Sequence, residues 1–338
     1  MAGRFAVTSE APAPPPDVSV VVPTWKSAGH LDAAVASALG QVGVSVELLM
    51  VDDASPDDTF AHIQGLAAGD ARIRAFRQPK NGGPGAARNA AFDMARGDWI
   101  AVLDADDAMT RHRLRHMIDL AEAEGADIVL GNLAERDADG HVGESAFLAQ
   151  PQIPTEWRAV DFVAGNLAAS GGRSYGYLKP LLRRSFVEAH GLRYDPRLRN
   201  GEDYHLILSA YAHGARVWFA PSADYLYTRR AGSISHRSEP DHLAALLEAE
   251  DRVAPLFADR EEVAGLLAQR RQALADMHAA ELVMQALKSA RLGQAGREVL
   301  RRPRATGRVA LQLKEAVGKR IGRRTSETAP PAKDTPVE

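Results

Sequence analysis

The 338-residue chain contains no cysteine. That excludes disulfides, cysteine-ligated zinc or iron–sulfur centres and a thiol nucleophile, and a reducing compartment is its simplest setting. No stretch approaches the roughly 18 consecutive apolar residues of a membrane span, so any membrane contact is expected to be peripheral. No secretion signal is expected in residues 1–17 either: they are rich in Ala and Pro without an apolar core and read as a flexible arm. There is no internal repeat. The net charge of −3 lacks the basic excess of a nucleic-acid binder, so no nucleic-acid partner is expected. What is present is ample core material: 45% apolar residues exclude disorder throughout.

From Val18 the pattern becomes regular. Apolar β-branched runs at 18–22, 46–51, 73–76, 99–103 and 127–130 alternate with helical patterns at 31–39, 57–68, 84–95 and 111–124. Strands alternating with helices predict an α/β fold, a mostly parallel sheet with helices on both faces. The stretch 135–200 is less regular. Residues 202–213 read as a helix and 216–219 as a strand. Residues 241–291 are helical in composition, broken at Pro255. The last residues, 325–338, have the composition of a disordered tail.

Polar groups gather where such a sheet binds ligands, beyond the carboxyl ends of its strands. Pro23, Thr24 and Trp25 end the first strand, and Trp25 is placed either to stack on a base or to fill the core. Asp52 and Asp53 end the second strand. Adjacent carboxylates there repel unless something neutralises them, while Ser55 and Asp57 suit helix capping. Asn81-Gly-Gly-Pro-Gly leads into a helix carrying Arg88, a place where backbone can approach a phosphate. Asp104-Ala105-Asp106-Asp107 closes the fourth strand. Hard divalent cations take oxygen ligands, so this cluster is the strongest metal candidate. Glu202-Asp203 opens a helix, where the helix dipole alone favours acids and Asp203 is a candidate general base. Arg229, Arg230 and His236 follow a strand; the arginines suit a pyrophosphate. His236 is a candidate metal ligand, although a lone histidine is more often structural.

In order and spacing, the segments at 18–41, 46–59, 81–107, 201–208 and 225–235 resemble family 2 glycosyltransferases of the GT-A fold, over about two-thirds of the chain. The resemblance implies a Rossmann-like domain at 18–237, a helical extension at 238–324, and transfer of sugar from a nucleotide-diphosphate donor, usually UDP-linked, with inversion. By position it places Pro23, Thr24, Trp25, Asp53, Arg88, Asp104, Ala105, Glu202 and Arg229 at the nucleotide sugar. It places Asp104 and Asp106 at Mn²⁺ or Mg²⁺, with His236 a further candidate, and Asp203 as the catalytic base. Trp25 and Lys26 depart from the family's common Tyr and Asn. The Gln-x-x-Arg-Trp motif of processive synthases is absent, which implies one sugar per encounter. The layout is most similar to bacterial exopolysaccharide glucosyltransferases of the succinoglycan type, implying UDP-glucose or another UDP-hexose and a lipid-linked glycan acceptor. A sugar nucleotidyltransferase is the alternative enzyme, disfavoured because PTWKSAG lacks a glycine-rich loop; a non-catalytic assembly protein is the other.

The neutral total hides an asymmetry. Residues 297–324 hold ten basic side chains against Glu298 and Glu315, a net of +8, leaving −11 for the rest. Leu313, Val317 and Ile321 repeat every fourth residue among them. A basic amphipathic helix lies on anionic membrane surfaces. The expected location is therefore cytoplasmic, at the inner face of the membrane.

Overall fold

The computed structural model describes residues 14–137, 139–167, 174–229, 239–311 and 314. The chain divides into two compact units, Met1–His236 with Arg252–Leu267, and Arg237–Asp251 with Ala268–Glu338. The segment 252–267, which the sequence assigns to the extension, therefore belongs to the first unit: its Phe257, Val263 and Leu267 are buried in that unit's core.

The first unit is built on a ten-stranded sheet. Strands β1 (Val18–Thr24), β2 (Val46–Asp52), β3 (Ile73–Arg77) and β4 (Trp99–Val102) alternate with helices α1 (Leu31–Leu39), α2 (Thr59–Gly69) and α3 (Pro84–Met94). These four strands are parallel, in the order β3-β2-β1-β4. Their side chains alternate between two cores. Val18, Val20 and Val22 of β1 face one, with Leu31, Val35 and Ile118; Val21 faces the other, with Ala87, Ala91 and Phe92 of α3. Apolar burial of each such side chain stabilises the fold by about 1.5–3 kcal/mol.

Beyond β4 the sheet becomes mixed. After β5 (Ala108–Met109) and α4 (Arg113–Glu124) come β6 (Ile128–Arg136), β7 (Val142–Ala146), β8 (Thr155–Trp157), α5 (Ala159–Ala164), β9 (Lys179–Arg183), α6 (Arg184–Ala189), α7 (Glu202–Ala212) and β10 (Val217–Thr228). Strand β9 lies between β4 and β6 and is antiparallel to both. The parallel expectation thus holds for β1–β4 and for the β6–β10 pair, whereas β5, β7 and β8 are antiparallel to their neighbours and, in the middle of the sheet, so is β9. It enters from the irregular middle of the chain rather than through a crossover helix, so it can run the opposite way.

The second unit takes α8 (Pro240–Val253) as far as Asp251, α9 (Glu261–Lys288) from Ala268 onward, and α10 (Leu292–Arg301), while the short turn Ala254–Phe257 that holds Pro255 belongs to the first unit. Ala280, Val283, Ala295, Ala305 and Val309 form its small core. Among the described residues no helix is long and apolar enough to cross a membrane.

Candidate active site

Strand order reverses between β1 and β4, which are neighbours joined through β2 and β3 on the far side. At such a switch point the connecting loops diverge and leave a crevice beyond the strand ends. Thr24 and Trp25 arrive from β1, Asp53 from β2 and Asp104 to Asp107 from β4.

Each acidic pair is resolved by different partners. Asp52 meets the Arg77 guanidinium at 3.3 Å. Asp53 accepts hydrogen bonds from the Gly82 and Gly83 amides, both at 2.7 Å, so it anchors the glycine-rich turn. That turn needs glycine: Gly83 has φ +89°, and a Cβ there would lie 2.6 Å from Arg199 Nη1. Of the capping candidates, Asp57 accepts from the Thr59 amide (3.3 Å), while the Ser55 hydroxyl accepts from the Lys26 amide (3.0 Å). Trp25 is 45% exposed, with the Lys26 ammonium 4.6 Å above its ring. It is therefore not a core indole.

The centre of the crevice is a chain of alternating charges. Arg88, buried on α3, donates to Asp104 Oδ1 (2.7 Å) and Glu202 Oε1 (2.8 Å) and lies 3.8 Å from Asp203 Oδ1. The Lys179 ammonium, at the start of β9, lies 2.9 Å from Asp104 Oδ2 and 2.8 Å from Asp203 Oδ2. The Tyr194 hydroxyl donates to Asp203 Oδ1 (3.0 Å). Burial opposes ionisation of Asp104, yet Lys179 and Arg88 overturn it and hold this carboxyl well below the usual range. Burial likewise opposes charge on Lys179 and Arg88, but Asp104 and Asp203 raise both above their ordinary values. Burial raises Glu202, partly offset by Arg88.

The three carboxylates after β4 separate in role. Asp107 turns into the core, accepting from the Tyr225 hydroxyl (2.7 Å) and the Thr228 amide (2.8 Å). Burial, then the charges of Asp104 and Asp106, push it up to about 8. Asp104 and Asp106 remain half-exposed, with buried Ala105 between them. Two hard oxygen donors two residues apart fit Mg²⁺ or Mn²⁺, which take one or two protein carboxylates and fill their other positions with phosphate oxygens and water. Both Asp104 oxygens hold cationic side chains.

The structure thus brings Arg88, Asp104, Glu202 and Asp203 into one network, with Pro23, Thr24, Trp25 and Asp53 at the adjoining strand ends. Arg229 stands apart from this network. It is exposed and pairs with Glu135 at 3.3 Å. His236 and Arg230 lie outside the described residues. Lys179 and Tyr194 are participants that the sequence patterning misses. An exposed group of Asp137, Asp139 and His141 sits in the β6–β7 connection, away from these residues in the chain.

A sheet with a switch point, carboxylates at its strand ends and a second acidic pair opening α7 is the arrangement expected of a GT-A glycosyltransferase, and the comparisons with known proteins agree. The first 349 residues of TarS from S. aureus, solved with UDP, share this fold at a TM-score of 0.57 with 19% identity, over 80% of this chain and 72% of that one. The mannosyltransferase PcManGT from Pyrobaculum calidifontis, solved with GDP-Man and Mn²⁺, does so at 0.54 with 17% identity, over 89% and 85%. Residues 19–170 match the model of glycosyl transferase family 2. The succinoglycan biosynthesis protein ExoO of Rhizobium meliloti (strain 1021) is 41% identical over 249 residues, 72% of this chain and 69% of that protein. ExoU from the same strain is 36% identical over 244 residues, 70% and 69%. The chain belongs to glycosyl transferase family 2 and is a glycosyltransferase.

Proposed function

We propose that this enzyme transfers a single hexose, with inversion, from a UDP-sugar to a lipid-linked glycan during exopolysaccharide synthesis, with UDP-glucose the first donor to test. The observation that carries the reading is the network in which Asp104 from β4 and Asp203 from α7 share one lysine ammonium. The succinoglycan relatives support the process, and the fold neighbours with UDP and with GDP-Man and Mn²⁺ support a nucleotide-sugar donor.

In this reading the ends of β1 and β2, with Trp25 and Asp53, hold the nucleoside, and Arg88 fixes the carboxylates around the sugar. Asp203 accepts the proton of an acceptor hydroxyl as that oxygen attacks the anomeric carbon. The bond from that carbon to the phosphate oxygen breaks, and the nucleoside diphosphate leaves with its electron pair. The new glycosidic bond has inverted configuration, and no covalent enzyme intermediate forms. Asp106 and Asp104 would hold Mn²⁺ or Mg²⁺, which supplies Lewis-acid stabilisation of the leaving diphosphate. The basic stretch 297–324 would place the enzyme at the inner face of the membrane, beside its acceptor. Leu292, Leu300 and Leu311, which are 70%, 80% and 57% exposed, support this surface role.

The test is release of UDP from UDP-hexoses with Mn²⁺. Asp203→Asn is expected to lower turnover about 10²–10⁴-fold, the usual contribution of a positioned base, while UDP still binds. Chelation by EDTA is expected to abolish turnover and added Mn²⁺ to restore it. Near-normal turnover of Asp203→Asn would remove the base assignment.

A further inference from the structure

Lys179 is 6% exposed, and its ammonium joins two carboxylates that are 99 residues apart in the chain. Its main chain is held as firmly as its side chain. In the β6–β9 register it lies opposite Gly131. The buried Arg113 guanidinium donates to the carbonyl of Lys179 (3.0 Å) and to that of Asn132 (3.2 Å). Gly131 is part of the same arrangement, because a Cβ there would lie 2.4 Å from Arg113 Nη2. The fold thus fixes one lysine from both ends.

Asp104, Glu202 and Asp203 would repel one another at this spacing. Arg88 and Lys179 together supply two positive charges against three negative ones, and they do so from different sides. Arg88 and the Tyr194 hydroxyl address Asp203 Oδ1, whereas Lys179 addresses Oδ2. Each carboxylate oxygen has two lone pairs, so both retain acceptor capacity after these contacts.

We propose that Lys179 is a positioning residue for sugar transfer, its ammonium locking the Asp203 carboxylate at a set distance from Asp104 on the donor side of the crevice. The inference rests on Asp203 being the base. A base held in one orientation before the acceptor arrives needs no reorganisation during attack. The lysine acts through Asp203 and touches neither the proton in flight nor the bond that breaks.

The experiment uses the full chain, UDP-glucose or whichever UDP-hexose it turns over, Mn²⁺, and UDP release as the readout. Lys179→Met keeps the length of the side chain and removes its charge. It is expected to lower kcat about 100-fold, the scale of a misplaced reacting group, with KM and the calorimetric affinity for UDP changed by less than about threefold. Lys179→Met placed on Asp203→Asn is expected to cost less than about threefold more, because a residue that works through Asp203 has nothing left to position. Lys179→Gln, which keeps hydrogen bonding, runs beside it in case the Met variant fails to fold. Wild-type kcat in a folded variant, a loss confined to KM, or a full additional loss in the double variant would each overturn the proposal. An active Asp203→Asn enzyme would instead remove the base assignment, whereas an inactive one beside a fully active Lys179→Met enzyme would remove only the role of Lys179.

Discussion

Asp104 and Asp107 stand three residues apart, and the fold makes opposite groups of them. Asp104 is held ionised by Arg88 and Lys179, while Asp107 is folded under the Tyr225 hydroxyl and pushed up to about 8. The sequence shows that carboxylates crowd this strand end, because an apolar run stops abruptly at them. It does not show which of them enter the core, since that depends on Tyr225, more than a hundred residues later. Lys179 is hidden for the same reason, an ordinary residue in an irregular stretch whose partner Asp104 is distant in the chain, whereas Tyr194 is hidden although Asp203 is only nine residues away, because nothing in the pattern marks it as facing the site. Gly131 is another such residue. Gly131→Ala puts a methyl group into the Arg113 guanidinium, and overpacking at a buried site costs about 1–3 kcal/mol. We expect a loss of that size in urea unfolding. Activity should fall beyond what stability explains, because Lys179 is displaced.

The elements that were legible are those with a complete local signature. Strands β1, β2 and β4 are apolar runs bounded by turn residues, and α1 and α3 carry small residues at helical spacing. Strand β9 was not legible: its five residues, KPLLR, begin with a charge and a proline. Strand β7 was missed because VGESA is almost wholly exposed and has no apolar alternation. Affiliation of elements was equally hard to read. The end of α8 is tied to the first unit by Arg252, whose guanidinium meets Asp195 Oδ2 at 2.5 Å while Arg197 holds Oδ1 at 2.9 Å. Burial works to raise Asp195, but these arginines outweigh it and lower the carboxyl from 3.8 to about 2. A lowered pKa in the folded state gives stability that is present above pH 4 and lost as pH falls from about 4 through 2. Because both arginines are largely exposed and water screens the pair, Asp195→Asn should cost about 1 kcal/mol at pH 7. In urea titrations that gap should close as the pH is taken down through this window.

At the scale of the whole molecule, charge is divided between an acidic body and a basic stretch. The described part of that stretch qualifies the expectation from sequence. Val309 and Ala305 are buried in the second unit's own core, so deletion from residue 297 would damage the unit as well as remove charge. Leu313, Val317 and Ile321 lie outside the described residues. Replacement of exposed Arg297, Arg301, Arg304 and Arg308 by Glu is the cleaner test. Each basic residue near an anionic bilayer contributes about 1 kcal/mol, so the four changes should abolish co-sedimentation with phosphatidylglycerol vesicles and leave UDP release in solution intact. Unchanged sedimentation would detach the basic stretch from any membrane role.

The antiparallel strand β9 also has a consequence for how the protein is made. Strands β1 to β4 are complete once residue 102 has left the ribosome, yet the partner that covers the β4 edge starts at Lys179. At 5–20 residues per second that edge waits roughly 4–15 s. During this interval its unpaired main chain is open to whatever strand reaches it first. Strand β6 emerges earlier than β9 and, in the finished sheet, lies on the other side of it. Direct pairing of β4 with β6 would leave no slot for the strand that brings Lys179. Nascent chains halted between residues 136 and 179 should accordingly be more dependent on chaperones than chains halted after β9 has emerged.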